Sequence, residues 1–241
     1  MVQNNFINIE YDVRKDSNGR DPDKYSKILK SYHKKLWSKL LPNGKYFNLN
    51  DDNPNLYLYH KSNLGEYFLS SDCIIHGYSN WKRMKHIIEQ IPKKEIDNFL
   101  YLSYTIGGSI IFPSNRVNSL PTMNQERGCN NKICDRIDLT LECIRLYYLG
   151  KDSPLKDTIQ RYDNYFKLFE NFKGYCEYFL LQDLTLDNYS KVNFFLPFNG
   201  FESNPLPNSV NEYNEYKKKN IQFINKRNNR IERDDKKQRP L

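Results

Sequence analysis

The sequence predicts an α+β fold: a helix-dominated single domain with one small antiparallel β-sheet and a basic amphipathic helix at its C-terminal end. Three observations carry this. Apolar residues recur at helical spacing through most of the chain. Three short apolar runs between residues 45 and 75 are punctuated by turn residues, as in a meander. The net charge of +8 is concentrated after residue 216, where ten Lys or Arg face Glu232, Asp234 and Asp235, leaving residues 1–216 nearly neutral. An argument from overall basicity is therefore an argument about the last 25 residues.

At 241 residues the chain suits one domain with its own core. Aromatic residues make up 15%, with 19 Tyr and 14 Phe, so large rings carry much of the packing. There is no alanine, and Asn, Lys, Ile and Tyr abound, a bias of AT-rich coding that discounts Lys and Asn content as functional evidence. No apolar run reaches the ~18 residues of a membrane-spanning helix. MVQNNFINIEYDVRK lacks the basic start and apolar core of a signal peptide, so a cytoplasmic location is expected. The cysteines stand at 73, 129, 134, 143 and 176. Cys129 and Cys134 are five apart, with no CxxC and no nearby His, which is poor spacing for zinc and predicts reduced, mostly buried thiols.

Taken in order, FINIEYDV (6–13) reads as a strand. Asp21 caps a helix with Pro22 in its first turn, running to about Ser38. Asn43-Gly44 turns into a strand at 45–49, and NLYLYHKS and GEYFLSSDCII are two more strands joined at Asn63-Leu64-Gly65. Ser79 starts a helix that Pro92 stops, KKEIDNFLYLSYT is another, and GGSIIFP is a buried strand. Residues 115–131 have no clear period, and a loop of that length is often functional. Ser153-Pro154 opens a further helix, GYCEYFLLQDL is helical or a short strand, and VNFFLPF is strand-like. ESNPLPNS has the composition of a linker. The expected organisation is a globular body over 1–203, a linker at 204–208, a basic helix at 209–233 and a disordered tail at 234–241.

RGCNNKICDRIDLTLECIRLYYLG (127–150) poses the functional question. It reads as a long core helix that nevertheless carries Lys132, Asp135, Arg136, Asp138, Glu142 and Arg145. With Ile133 set at 0° and ~100° per residue, Ile137, Leu141, Ile144 and Tyr148 fall within about 80° of it. Leu139, Cys143 and Leu146 form a second apolar strip. Asp135, Asp138, Glu142 and Arg145 share a narrow stripe between the two, either a ribbon of solvent or the wall of a cleft. Glu142 and Arg145 are spaced to pair, whereas Asp138 and Glu142 are like charges four apart that need a cation between them.

This stretch resembles the central motif of an uncharacterised family of small bacterial proteins with a domain of unknown function. The similarity extends to YHKKLWSKLLPNGK, GEYFLSSD, MKHIIEQIP, YTIGGSIIFPSNRV and GYCEYFLLQDL, most of residues 20–230. It implies a bacterial, intracellular, single-domain protein and brings no activity, cofactor or catalytic residue with it.

The candidate site follows from the charges. Arg127, Lys132 and Arg136 gather before the helix, and Arg116 closes the strand IIFPSNR, so these four are the candidate phosphate- or anion-binding residues. The competing reading is that Arg136 pairs with a buried Asp and only holds the loop. His60, beside Lys61 and Glu66 across a hairpin, is the acid–base candidate, with Asp138 and Glu142 as further catalytic candidates. No P-loop, GxGxxG, HExxH or GxSxG occurs, and no metal site is assigned. The cofactor is left open. The expected partner is phosphate-bearing, a nucleic acid or nucleotide, with the basic helix adding non-specific attraction. A phosphodiesterase or nuclease of toxin or defence type follows if the protein is an enzyme. The alternatives are a non-catalytic module whose tail binds an acidic protein, and an enzyme acting on a small anionic metabolite.

Overall fold

A computed structural model describes residues 6–50 and 58–237. The fold is α+β and helix-dominated, 49% helical and 12% strand. Its first segment is not the expected strand: Tyr11 N donates to Asn8 O at 3.1 Å and Lys15 N to Asp12 O at 3.0 Å, so the chain turns twice before helix α1 (Arg14–Ser17). Asp21 caps α2 (Pro22–Tyr25) by accepting from Asp23 N at 3.1 Å, with Pro22 where its missing N–H costs nothing. The expected single helix breaks at Ser26. This residue is extended, and its Oγ accepts from Leu29 N at 3.0 Å to start α3 (Lys27–Trp37).

One sheet becomes three. Strands β1 (Lys39–Leu40) and β2 (Tyr46–Phe47) form a short hairpin across Asn43-Gly44. The central antiparallel sheet runs β3 (Leu58–Ser62), β4 (Gly65–Cys73), β5 (Ser109–Pro113) in that order. Its register pairs His60 with Tyr67 and Asp72 with Ile110. The buried run GGSIIFP thus supplies a third strand to the 58–73 hairpin; residues 55–57 of the expected strand lie outside the described residues. A last pair, β6 (Thr185–Leu186) and β7 (Lys191–Val192), is two residues wide, so most of VNFFLPF is not strand. The glycine pair makes a tight turn. A side chain on Gly107 would overlap the amide of Asn228, and one on Gly108 would overlap Leu102 O.

Between the sheet strands stand α4 (Lys85–Ile88), after a 3-10 turn, and α5 (Lys93–Tyr101). The period-free stretch 115–131 contains α6 (Met123–Cys129), whose Thr122 and Gln125 form a capping box. The long helix expected from Arg127 does not exist. The chain leaves α6 at Asn130, passes Cys134 and Asp135 in left-handed conformations (φ 47° and 58°), and re-enters a helix only at α7 (Ile137–Tyr148). Two such non-glycine residues cost roughly 1 kcal/mol or more each. Then follow α8 (Lys156–Arg161), α9 (Asp163–Phe166) and α10 (Phe172–Tyr178), which bury Tyr165, Phe166, Phe169 and Tyr175 around Trp37 and Phe179.

The final helix, α11 (Val210–Lys237), is part of this core. Tyr213, Tyr216, Phe223, Ile224 and Ile231 are buried, at about 1.5–3 kcal/mol each. Arg227, also buried, donates to Phe179 O, Gly107 O and Ser109 O at 2.6–3.2 Å. It thereby ties the helix to the glycine turn and to β5. The linker-like 204–208 segment is buried at Pro205, Leu206 and Pro207, and the helix continues past residue 233 to Lys237. No helix among the described residues is long and apolar enough to cross a membrane.

Candidate functional site

The residues expected to form a cationic lip are mostly internal. Arg127 is fully buried at the end of α6. It contacts Asp72, lies 3.3 Å from Asp135 Oδ1, donates to Thr140 Oγ1 at 2.9 Å and sits over the Phe112 ring. Arg136, 2% exposed, is engaged by both oxygens of Asp138 and donates to Pro205 O at 2.6 Å. Asp138 also accepts from Phe195 N at 2.8 Å. Glu142 takes both arms of Arg145, at 2.8 and 2.7 Å. The like charges Asp138 and Glu142 thus do not share a cation; each has its own arginine, because α7 is buried on every side but a sliver. Lys132 is exposed and paired with Glu202 at 2.5 Å. The competing reading of Arg136, a brace on a buried Asp, is the observed one.

His60 is equally structural. It is 1% exposed, stacks on Phe47 at 4.0 Å, and places Nδ1 2.7 Å from Asn48 O and Nε2 2.8 Å from Ser62 Oγ. Burial holds its pKa below the usual range, so the ring is neutral: Nδ1–H donates to Asn48 and Nε2 accepts from Ser62. The hairpin around it is as expected, with Lys61 and Glu66 paired at 3.3 Å. No face of the imidazole is open for proton transfer.

Arg116 is the exception. It is exposed, makes no ion pair or side-chain hydrogen bond with the described residues, and lines a cleft of about 510 Å³. That volume is in the range of small-molecule sites. Three pieces of chain build it. Asp21 and Asp23 come from the capped start of α2, Ser70 and Ser71 from β4, and Ser114, Asn115, Asn124 and Gln125 from the end of β5 and α6. Asn115 Oδ1 accepts from Phe68 N at 2.8 Å, which holds the turn leading to Arg116 against the sheet. Asn124 spends both its N–H groups on Ser70 Oγ and Ser71 O, each at 3.0 Å, leaving its buried Oδ1 without a partner among the described residues. The buried Ser114 hydroxyl likewise has no partner among the described residues.

The floor of the cleft is acidic. Ser71 donates to Asp23 through its N–H, at 2.7 Å, and through its hydroxyl. Burial nevertheless pushes the Asp23 pKa up to about 6, with Asp21 and Asp72 adding to the rise. On the other side of Asp23 a smaller cavity of about 160 Å³ is lined by Asp72, Cys73, Ser103 and Thr105. Asp72 is raised to about 7, because burial and the nearby Asp135 outweigh the attraction of Arg127. One guanidinium faces two carboxyls, so the Asp72–Asp135 pair holds its proton above the ordinary carboxylate range. The Cys73 thiol is driven up to about 12, first by burial, and is inert. Among the described residues no three His, Cys, Asp or Glu side chains group as a metal site.

This concentration of perturbed acids beside a cleft makes it the candidate functional site. Sequence reasoning missed it. Ser70, Ser71 and Asp72 read only as part of the strand GEYFLSSDCII, and Asp72 meets Arg127 only across 55 positions of chain. One signal was available: a polar SSDC following the alternating GEYFL inside a strand, where an apolar residue would be the default.

Fold and site together define a helix-dominated α+β domain with a polar cleft lined by the central strand of a three-stranded sheet. The chain belongs to DUF6994, a family of unknown function, whose model matches residues 7–231. That span takes in the cleft and most of α11. Neither the curated proteins nor the solved structures provide a match to the chain.

Proposed function

We propose that this protein binds a small phosphate-bearing molecule, of the size of a mononucleotide or sugar phosphate, in the cleft between Asp23 and Arg116. The observation that carries the reading is the opposition, in one 510 Å³ cleft, of an unpaired guanidinium and a carboxyl held by Ser71. Arg116 takes the phosphate, which suits its planar donor fork. Asp23 accepts from a ligand hydroxyl or amine. The cleft is not strongly cationic, since Asp21 and Asp23 counter one Arg; a raised Asp23 pKa eases the repulsion that a bare dianion would meet. The ligand is therefore bipolar, anionic at one end and hydrogen-bond-donating at the other.

A phosphodiesterase or nuclease that uses Asp138, Glu142 and His60 loses support, because all three are buried and committed to partners. The test is an NMR titration of the labelled protein with 5′-mononucleotides and sugar phosphates. Shifts centred on the amides of Ser70, Ser71, Asn124 and Gln125 that disappear in Arg116→Ala support the reading. Shifts elsewhere, or none with any member of the set, count against it.

A further inference from the structure

With one face of α11 in the core, its other face is exposed and strongly basic. Lys218, Lys219, Lys226, Arg233, Lys236 and Lys237 are exposed along it. Their positions, taken at ~100° per residue, fall within an arc of about 100°, over a length of about 28 Å. The exposed acid within that arc is Glu215, which lies 3.8 Å from Lys218. Arg230, at the border, is already spent on Asp183 at 2.7 Å.

A charged solvated face alone would carry little meaning in so Lys-rich a chain. The second observation is aromatic. Phe194 and Phe198 stack with ring centroids 4.3 Å apart, and Phe201 meets Phe198 edge-on at 5.0 Å. All three rings are only half-buried. They adjoin the basic stripe: Lys219 Nζ donates to Phe194 O at 3.3 Å, and a groove of about 140 Å³ is lined by Phe194, Lys219, Gln222 and Lys226.

We infer that this face binds single-stranded nucleic acid, with the backbone following the lysines of α11 and unpaired bases stacking at Phe194 and Phe198. Half-exposed rings beside a cationic track are what single strands use, because every base has a stackable face whatever its sequence. A duplex offers no unstacked base to these rings, and an acidic protein gains from the charge but has no need of the stack. The site is separate from the cleft and does not depend on the cleft reading.

Fluorescence anisotropy with labelled oligothymidylate, and with a duplex of equal length, tests it at low and physiological salt. The single strand should bind more tightly than the duplex. Lys219→Gln with Lys226→Gln should reduce the slope of log affinity against log salt by about 1.4, at ~0.7 for each phosphate no longer neutralised. Phe198→Ala should weaken the single strand by roughly fivefold or more while leaving duplex binding unchanged, and Arg116→Ala should alter neither. Circular dichroism confirms that each variant is folded. If polyglutamate competes as well as oligothymidylate and Phe198→Ala changes nothing, the face is a general polyanion or acidic-protein surface and the inference is overturned. Absence of binding at low salt overturns it as well.

Discussion

Ser71 holds Asp23 by two donors, the backbone N–H at 2.7 Å and the side-chain hydroxyl, joining the first turn of α2 to the middle of the central sheet. Those two bonds would ordinarily lower a carboxyl pKa, yet Asp23 stands near 6. Desolvation therefore wins, and the group is poised to change charge in the neutral range. The relationship makes the cleft a structural joint whose carboxyl is held well above the ordinary carboxylate range.

The pH dependence follows in sign. A carboxyl whose folded pKa is raised from 3.8 to about 6 favours the folded state most below pH 4, and that contribution is lost as the pH rises through 6. Asp23→Asn removes the titration. Relative to the wild type, the variant should be less stable at pH 4 than at pH 7.5, by a differential on the order of 1–2 kcal/mol after solvent access to the cleft is allowed for. Urea denaturation at the two pH values measures it. His33 and His76, which burial lowers to about 3 and about 4, tilt both proteins in the opposite direction and cancel in the difference.

Arg127 is the keystone of the acidic pair behind the cleft. Arg127→Met leaves Asp72 and Asp135 facing each other in the interior without a cation, and should cost roughly 3–5 kcal/mol. Adding Asp72→Asn should recover a good part of that loss. A chemical denaturation cycle over the single and double variants shows the coupling.

Removing the basic helix is not the mild truncation that its composition suggests. A chain ending at Tyr216 lacks Phe223, Ile224, Arg227 and Ile231, and uncovers the carbonyls of Gly107, Ser109 and Phe179. It should fail to fold cooperatively. Arg227→Met alone should lose about 3 kcal/mol or more, as buried acceptors lose their donors. Thermal melts followed by circular dichroism decide both.

His60→Gln should lower stability by about 1–2 kcal/mol, from the lost Phe47 stack and an imperfect fit to Asn48 and Ser62. Ligand binding should be untouched, since His60 lines none of the cleft. Calorimetric titration of the variant with the ligand identified by NMR checks this.

Where local pattern governs, the sequence was readable. The Asp21-Pro22 start of α2, the β3–β4 hairpin with Lys61 opposite Glu66, and the apolar faces of α7 and α11 all follow from spacing and capping. Periodicity could not show that the chain breaks between Cys129 and Ile137, because Cys134 and Asp135 adopt left-handed conformations that nothing in their side chains requires. It could not distinguish an arginine at a helix entrance from one folded inward either. Arg127 and Arg136 turn inward because Asp72 and Pro205 O, far away in sequence, reach them. Arg116 was found for a local reason, its place at the end of a strand. Its cleft partners Asp23 and Ser71 were missed because 48 positions separate them.

The most direct test of the cleft is a comparison of calorimetric titrations for the wild type, Arg116→Ala and Asp23→Asn, using the mononucleotide or sugar phosphate that gives the largest amide shifts at Ser71. The cleft account predicts at least a tenfold loss of affinity in Arg116→Ala, a smaller loss in Asp23→Asn, and unchanged melting temperature in the former. Equal affinity in all three proteins would contradict it.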